Sequence, residues 1–326
     1  MKVGIIGCGK IGQKRAQAVM HSDSELVAVC DIEFAAQYDL SEKYNVNNFT
    51  HYRDMLEDAD IDTVIVATTH NMLATIAKDA IDAGKRVLIE KPGAINLNAL
   101  EPLFRAPKGK IVRVGYNLRF HPAVLKALVL MREIGEVMYV RGYYGHGGRP
   151  GYEKEWRFDK AQSGGGVVMD LGVHLIDLSN LFINSTLNTV ESHCEASFWK
   201  TTLEDNASFV LTYMNGCCAY LQASCTEWRN NFWLEIVGKK GKLCIKGLGG
   251  SYGTETLTLY KMTPALWRPE ITTWGFSDVD NSWDLEWKDF EKAVTSSDGG
   301  HGASVHDAGW VLDTVERIYD YNKSTA

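Results

Sequence analysis

Long runs of lysine and arginine are absent from this chain, and acids outnumber bases to give a formal net charge of −7. A nucleic-acid or anionic-membrane partner is therefore not expected. No Cys-x-x-Cys pair occurs. The seven cysteines (Cys8, Cys30, Cys194, Cys217, Cys218, Cys225 and Cys244) are scattered, mostly inside apolar runs. That pattern argues against a zinc site and for reduced, buried thiols in a cytoplasmic protein. No apolar run approaches the ~20 residues of a membrane span, and residue 2 already belongs to a strand pattern. Neither a membrane segment nor a leader is expected. Low-complexity tracts and internal repeats are missing as well. What remains is an ordinary globular composition, 45% hydrophobic and 23% charged over 326 residues, long enough for two domains with real cores.

The first dozen residues organise the rest. Val3, Ile5 and Ile6 read as a buried strand that runs into Gly7-Cys8-Gly9-Lys10-Ile11-Gly12 and then a helical pattern through Met20. In this arrangement the first glycine permits the tight turn, and the second lets a pyrophosphate approach the backbone. The third lets helix pack on strand, while the helix N-terminus offers N–H groups to the anion. A second strand, Leu26 to Cys30, ends at Asp31, 19 positions after Gly12, where a carboxylate would meet a ribose 2′-hydroxyl. A dinucleotide site is expected here, with Gly7, Gly9, Lys10, Ile11, Gly12 and Asp31 as contacts. Thr68, Glu90 and Lys91, at the ends of the following strands, join them. No arginine follows Asp31 to accept a 2′-phosphate, so NAD is expected rather than NADP.

Strand and helix alternate to about Arg119, with all-apolar strands such as Thr63 to Ala67 and Arg86 to Ile89. Such strands belong to an open parallel sheet covered on both faces. Asn45 to Thr50 reads as a polar connector. Beyond a helix from His121 to Ile134, long alternating stretches and turns such as Asn215-Gly216 indicate a mostly antiparallel open sheet. The fold class is α/β, a Rossmann domain over 1–119 followed by an α+β substrate-binding and oligomerisation domain over 120–326. All nine tryptophans lie at or beyond Trp156, as expected of rings packing a sheet face or an oligomer interface, with sugar stacking as the alternative.

Two further stretches carry chemistry. Glu90-Lys91-Pro92 closes an apolar strand at its carboxyl end, the edge where open α/β sheets bind ligands. A lysine there can stabilise charge developing on a substrate oxygen; its bland alternative is a solvated pair with Glu90. The second stretch runs from Ser163 through three glycines to Asp177. At helical spacing Asp170, His174 and Asp177 share one face among apolar neighbours. Histidine suits proton transfer near neutral pH, and a carboxylate can orient it. A structural Asp–His bond is the alternative; a metal is disfavoured because no other His/Cys cluster completes a shell.

In this order the Gly-x-Gly-x-x-Gly, the Ala83-Gly84-Lys85…Glu90-Lys91-Pro92 stretch and the Gly164-Gly165-Gly166…Asp170-x-Gly172-x-His174-x-x-Asp177 helix resemble the glucose-fructose oxidoreductase / inositol dehydrogenase / MocA family. The likeness covers nearly the whole chain. It implies that Lys91, Asp170 and His174 match the catalytic residues of sugar and cyclitol dehydrogenases, histidine as acid/base and lysine positioning the reacting oxygen. Tyr116 to Pro122 is similar to the family's hinge segment. Thr69-His70 stands where many members carry Pro-Asn. As substrate contacts, Tyr116, Asn117, Arg119, Arg149 and Arg157 are the candidates, the two last for an acidic or phosphorylated group, with structural salt bridges as their alternative.

The expected activity is hydride transfer between NAD and a secondary alcohol or ketone carbon of a sugar, sugar derivative or cyclitol. One rival is a glycoside hydrolase that oxidises transiently and returns NAD unchanged. Another is a regulatory protein that binds the dinucleotide without turnover. A homodimer or homotetramer is expected, paired through the sheet's free face.

Overall fold

Apolar strands and their helices form largely where composition places them. The computed structural model describes residues 1–58, 60–107, 111–296 and 300–325. Its first elements are β1 (Lys2–Ile6), α1 (Lys10–Met20), β2 (Glu25–Cys30), α2 (Phe34–Tyr44), β3 (Asn47–Phe49), α3 (Tyr52–Glu57), β4 (Thr63–Val66), α4 (His70–Asp82), β5 (Arg86–Glu90), α5 (Leu97–Leu100) and β6 (Val112–Gly115). The polar connector expected at 45–50 thus contains a strand, because β3 pairs in parallel with β2 at the sheet edge. After β5 the chain makes one short α turn followed by a 3₁₀ segment, Glu101–Arg105, entered at Pro102.

Next come α6 (Pro122–Ile134), β7 (Val137–Gly145), α7 (Lys160–Ser163), α8 (Val173–Ile183), β8 (Leu187–Glu195), β9 (Asn206–Tyr213), β10 (Cys218–Ser224), β11 (Asn231–Gly238), β12 (Gly241–Lys246), β13 (Thr256–Lys261), β14 (Glu270–Gly275), α9 (Ser282–Thr295), β15 (Ala303–Ser304) and α10 (Val305–Thr325). The stretch from Lys160 to Ile183 is long and apolar enough to span a membrane, contrary to the expectation above. However, 83% of that window is buried within the protein.

Two compact units result. The first is Met1–Asn117, Ala161–Gly164 and Asn281–Trp310; the second is Leu118–Lys160, Gly165–Asp280 and Val311–Ala326. The chain thus returns to the first unit at Asn281–Trp310. The cause is packing: Trp287 and Phe290 of α9 stack 5.2 Å apart inside the cluster of Val3, Ile5, Val19, Leu26 and Val29. Trp283, Trp287 and Trp310 accordingly belong to the first unit, not to a sheet face of the second.

The first unit holds a seven-stranded sheet in the order β15-β6-β5-β4-β1-β2-β3, parallel except for β15 on β6. Its order reverses about β1 and β4, so their carboxyl ends open a crevice for ligand. The second unit holds an eight-stranded sheet, β14-β13-β12-β11-β7-β10-β9-β8, antiparallel except for β7 with β10. Along β11, Phe232, Leu234 and Ile236 are buried while Trp233, Glu235 and Val237 are half-exposed, the alternation of a sheet covered on one face. On the covered face α8 packs on β7 and β10, and α6 on β12 and β13.

Candidate active site

In the first unit the glycine turn has the sterics expected of it. Gly7 sits at φ +101°, and a Cβ there would lie 2.4 Å from the Ala67 carbonyl oxygen, against the Ala67–Thr68 turn. At Gly12 a Cβ would lie 1.9 Å from the Gly7 carbonyl oxygen, so helix and strand meet through bare backbone. A Cβ at Gly9 would meet nothing within 4 Å, which leaves open space at the start of α1. Gln13 makes the first helical bond, to Gly9. The N–H groups of Lys10, Ile11 and Gly12 therefore have no carbonyl within the helix, and no acidic residue in the first turn opposes an anion. At the end of β2 the Asp31 carboxylate accepts the Cys8 N–H (2.7 Å) and the Glu33 N–H (3.0 Å), fixing it beside the loop. A dinucleotide fits this cradle: room at Gly9, a positive helix end, and an anchored carboxylate. Burial pushes the thiols of Cys8 and Cys30 up to about 12, so both are neutral packing groups.

Glu90 behaves differently from expectation. Its buried carboxylate accepts Arg15 Nε of α1 at 2.6 Å, and Arg15 Nη1 lies 2.6 Å from Glu286 of α9. Trp283 stacks over the guanidinium at 4.5 Å. Burial alone would lower the Arg15 pKa, but Glu286 and then Glu90 raise it above its usual value. Gly115 makes room, since a Cβ there would lie 2.4 Å from Arg15 Nη2. Glu90 is thus part of a buried ion triad that ties the dinucleotide helix to the strand before Lys91. Neither Arg15 nor Glu286 stood out in the sequence; the only signal was an arginine on the buried stripe of α1.

In the second unit Val168–Gly172 form a π-helical turn ahead of α8. The extra residue shifts the phase, a local device common at functional sites. Asp170 lies in that turn, His174 and Asp177 lie in α8, and the three meet different partners. Asp177 is buried and accepts Arg119 Nε (2.8 Å) and Nη2 (2.5 Å). His174 is buried with its ring edge-on to Tyr144, centroids 5.9 Å apart. Tyr144 packs in turn on Phe232 and Tyr252, each at 5.5 Å, and burial first, then Tyr252, holds its hydroxyl protonated.

Asp170 receives the Tyr152 hydroxyl at 3.3 Å and lies 3.3 Å from Arg157 Nε. Asp170 raises the Arg157 pKa more than burial lowers it. His146 Nδ1 accepts the Gly148 N–H at 3.0 Å, which leaves the ring proton on Nε2, 3.3 Å from Tyr152 Oη. A hydrogen-bond chain therefore runs His146 to Tyr152 to Asp170. Burial lowers the His146 pKa, so the ring is neutral at physiological pH. Upstream, the buried Glu204 carboxylate accepts the N–H groups of Gly166 (3.0 Å) and Val168 (3.1 Å) and the Tyr319 hydroxyl (2.7 Å). Glu204 thereby anchors the backbone that presents Asp170.

The substrate candidates separate. Tyr116 is fully buried, Asn117 donates to Ser282 Oγ at 2.9 Å, and Arg119 pairs with Asp177. Arg149 pairs with Glu155 at 2.5 Å, and Arg157 bridges Glu155 and Asp170. Among the described residues no group of three or more His, Cys, Asp or Glu is arranged to hold a metal ion.

Residues 1–118 match a family described as "Oxidoreductase family, NAD-binding Rossmann fold", and residues 123–244 match the GFO/IDH/MocA C-terminal domain. An uncharacterized oxidoreductase of Bacillus subtilis (strain 168) is 27% identical over 249 residues, 73% of this chain and 71% of the relative. Inositol 2-dehydrogenase of Salmonella typhimurium is 26% identical over 254 residues, 74% of this chain and 72% of the relative. Among solved structures, levoglucosan dehydrogenase in complex with NADH has a TM-score of 0.89 at 21% identity, covering 100% of this chain and 98% of the other.

Proposed function

This chain belongs to the GFO/IDH/MocA family of oxidoreductases, and from that premise we propose that it interconverts a secondary alcohol and a ketone on a sugar, sugar derivative or cyclitol. The observation that carries the reading is the glycine cradle with its anchored Asp31, on a chain whose relatives are named for inositol and levoglucosan. NAD, when bound, supplies the hydride chemistry. The chain's own residues then move one proton and hold one oxygen. As an alcohol is oxidised, His174 takes the hydroxyl proton, and the Lys91 ammonium donates to the reacting oxygen. Asp170, itself held by Tyr152 and Arg157, orients the substrate. The test is a panel of polyols, aldoses, uronates and nucleotide-sugars with NAD⁺ and NADP⁺, read as absorbance of the reduced cofactor. Failure to reduce either cofactor with every member overturns the reading.

Cofactor choice follows from Asp31. Its carboxylate repels a 2′-phosphate, and its bond to Cys8 shapes the loop. Asp31→Ala is expected to raise the KM for NAD and narrow the preference over NADP. A wild-type KM lower for NADP than for NAD would contradict this.

For assembly, a homodimer or homotetramer is proposed through the free face of the large sheet. Tyr139 and Tyr220 meet there edge-on at 6.3 Å, beside Glu235, which pairs with Arg141 and Lys242. Light scattering at micromolar concentration is expected to give a multiple of 36.3 kDa, and a monomeric mass would sink the proposal.

A further inference from the structure

Two exposed rings in the second unit have no role in its core. Phe198 is 51% exposed and Trp228 78%, and they pack edge-on with centroids 5.1 Å apart. Isolated exposed apolar side chains are ordinary on a protein surface. These two are held in place from below. The buried carboxylate of Asp205 accepts the backbone N–H groups of Ser197 (2.9 Å), Phe198 (2.8 Å) and Trp199 (2.8 Å). Trp199 donates its indole N–H to the Cys225 carbonyl at 2.9 Å, and its ring lies 5.1 Å from Phe198.

Trp228 has φ +60°, a conformation costly for a bulky residue. Its backbone passes so near Gly147 that a Cβ there would come within 2.9 Å. Gly148 similarly leaves space that the Trp199 ring occupies, since a Cβ would lie 2.3 Å from it. Three loops, following β7, β8 and β10, thus converge to hold two rings outward. The rings continue toward Asp170 and the half of the site it belongs to: Trp199 lies 5.6 Å from Tyr152, whose hydroxyl donates to Asp170. The Arg149–Glu155 pair joins the same cluster, with the Arg149 guanidinium 5.2 Å above the Tyr152 ring.

We propose that Phe198 and Trp228 form a stacking subsite for the second ring of a glycoside whose first ring is oxidised beside Asp170 and His174. This rests on the assignment of that half-site to the sugar substrate. A pyranose offers an apolar C–H face to an aromatic ring and hydroxyls to charged neighbours, which matches a small ledge near Arg149 and Glu155. A second copy of the chain is a poorer occupant. Stable interfaces bury roughly 800 Å² per partner, whereas an aromatic side chain contributes about 150–250 Å².

The test compares wild type with Trp228→Ala, Phe198→Ala and the conservative Trp228→Phe. The probes are glucose, cellobiose, maltose and 4-nitrophenyl β-glucoside, added to NADH-bound protein for saturation-transfer NMR and to NAD⁺-bound protein for turnover. Saturation is expected to reach the second ring of a glycoside in wild type, fall severalfold in Trp228→Ala, and return in Trp228→Phe. Where a glycoside is oxidised, its KM should rise about tenfold in Trp228→Ala with kcat unchanged, the size expected for losing one stacked ring. Absence of transfer to the second ring in wild type, or transfer undiminished in Trp228→Ala, overturns the subsite. A mass that falls in Trp228→Ala while glycoside binding stays intact assigns the ledge to a second copy and also overturns it. Transfer to the second ring without oxidation of any sugar in the wider panel upholds the subsite and refutes the oxidoreductase reading instead.

Discussion

His174→Ala is expected to lower kcat by ~10²–10⁴-fold on folded, NAD-saturated protein, the range typical of removing a general base. The ring is buried against Tyr144, so its loss also opens a space; measuring turnover per folded molecule separates the two effects. Lys91→Ala should cost at least as much, because it removes both the charge on the reacting oxygen and its position. The double variant should fall little below the worse single one, since each group is useful only while the other holds the substrate oxygen. NAD affinity, followed by cofactor fluorescence, should stay close to wild type for His174→Ala. Near-normal kcat in both single variants would remove these residues from the chemistry and leave Asp170 and its partners as a structural network.

Arg15→Met should be the most destabilising single change in the first unit. Glu90 and Glu286 would be left buried with no guanidinium between them, and breaking a buried pair this way costs about 3–5 kcal/mol. In a chain of this length that corresponds to a drop in melting temperature on the order of 10 °C. Arg15→Met combined with Glu286→Gln should recover part of the loss, because one of the two opposed charges is gone. Differential scanning calorimetry decides it. A change under ~1 kcal/mol would mean that the triad contributes little beyond filling space.

What could be read from the sequence was what short-range sterics and periodicity dictate. Gly7 and Gly12 do in the structure what the turn requires, because the atoms their missing Cβ would meet lie within the same strand–turn–helix or just past the adjoining strand, and Gly9 leaves the open space expected of it. The parallel sheet followed from apolar runs too continuous to face water. What was not legible depended on distant chain. Glu90 could be expected to pair with its neighbour Lys91, yet its partner is Arg15, and the third member of the triad arrives from α9. The separate partners of Asp170, His174 and Asp177 were likewise out of reach, since Tyr152 and Arg157, Tyr144, and Arg119 come from elsewhere in the chain. The end of β8 at Glu195 was not legible either, because Asp205 takes the next backbone N–H groups, of Ser197, Phe198 and Trp199, into a loop. Aromatic count marked the second half as unusual, but not which of its rings stand exposed, as Trp228 does.

The return of α9 to the first unit also sets an order of events during synthesis. Residues 1–117 leave the ribosome long before Glu286, Trp287 and Phe290, which the same core requires. At roughly 5–20 residues per second the intervening chain takes about 10–30 s to emerge. Through that interval the nascent sheet lacks the rings that close its core, and Arg15 lacks one of its two carboxylates. The cofactor-binding half, first to be translated, is therefore among the last parts to be completed, and its unfinished seat for Trp287 is where a chaperone would find this chain.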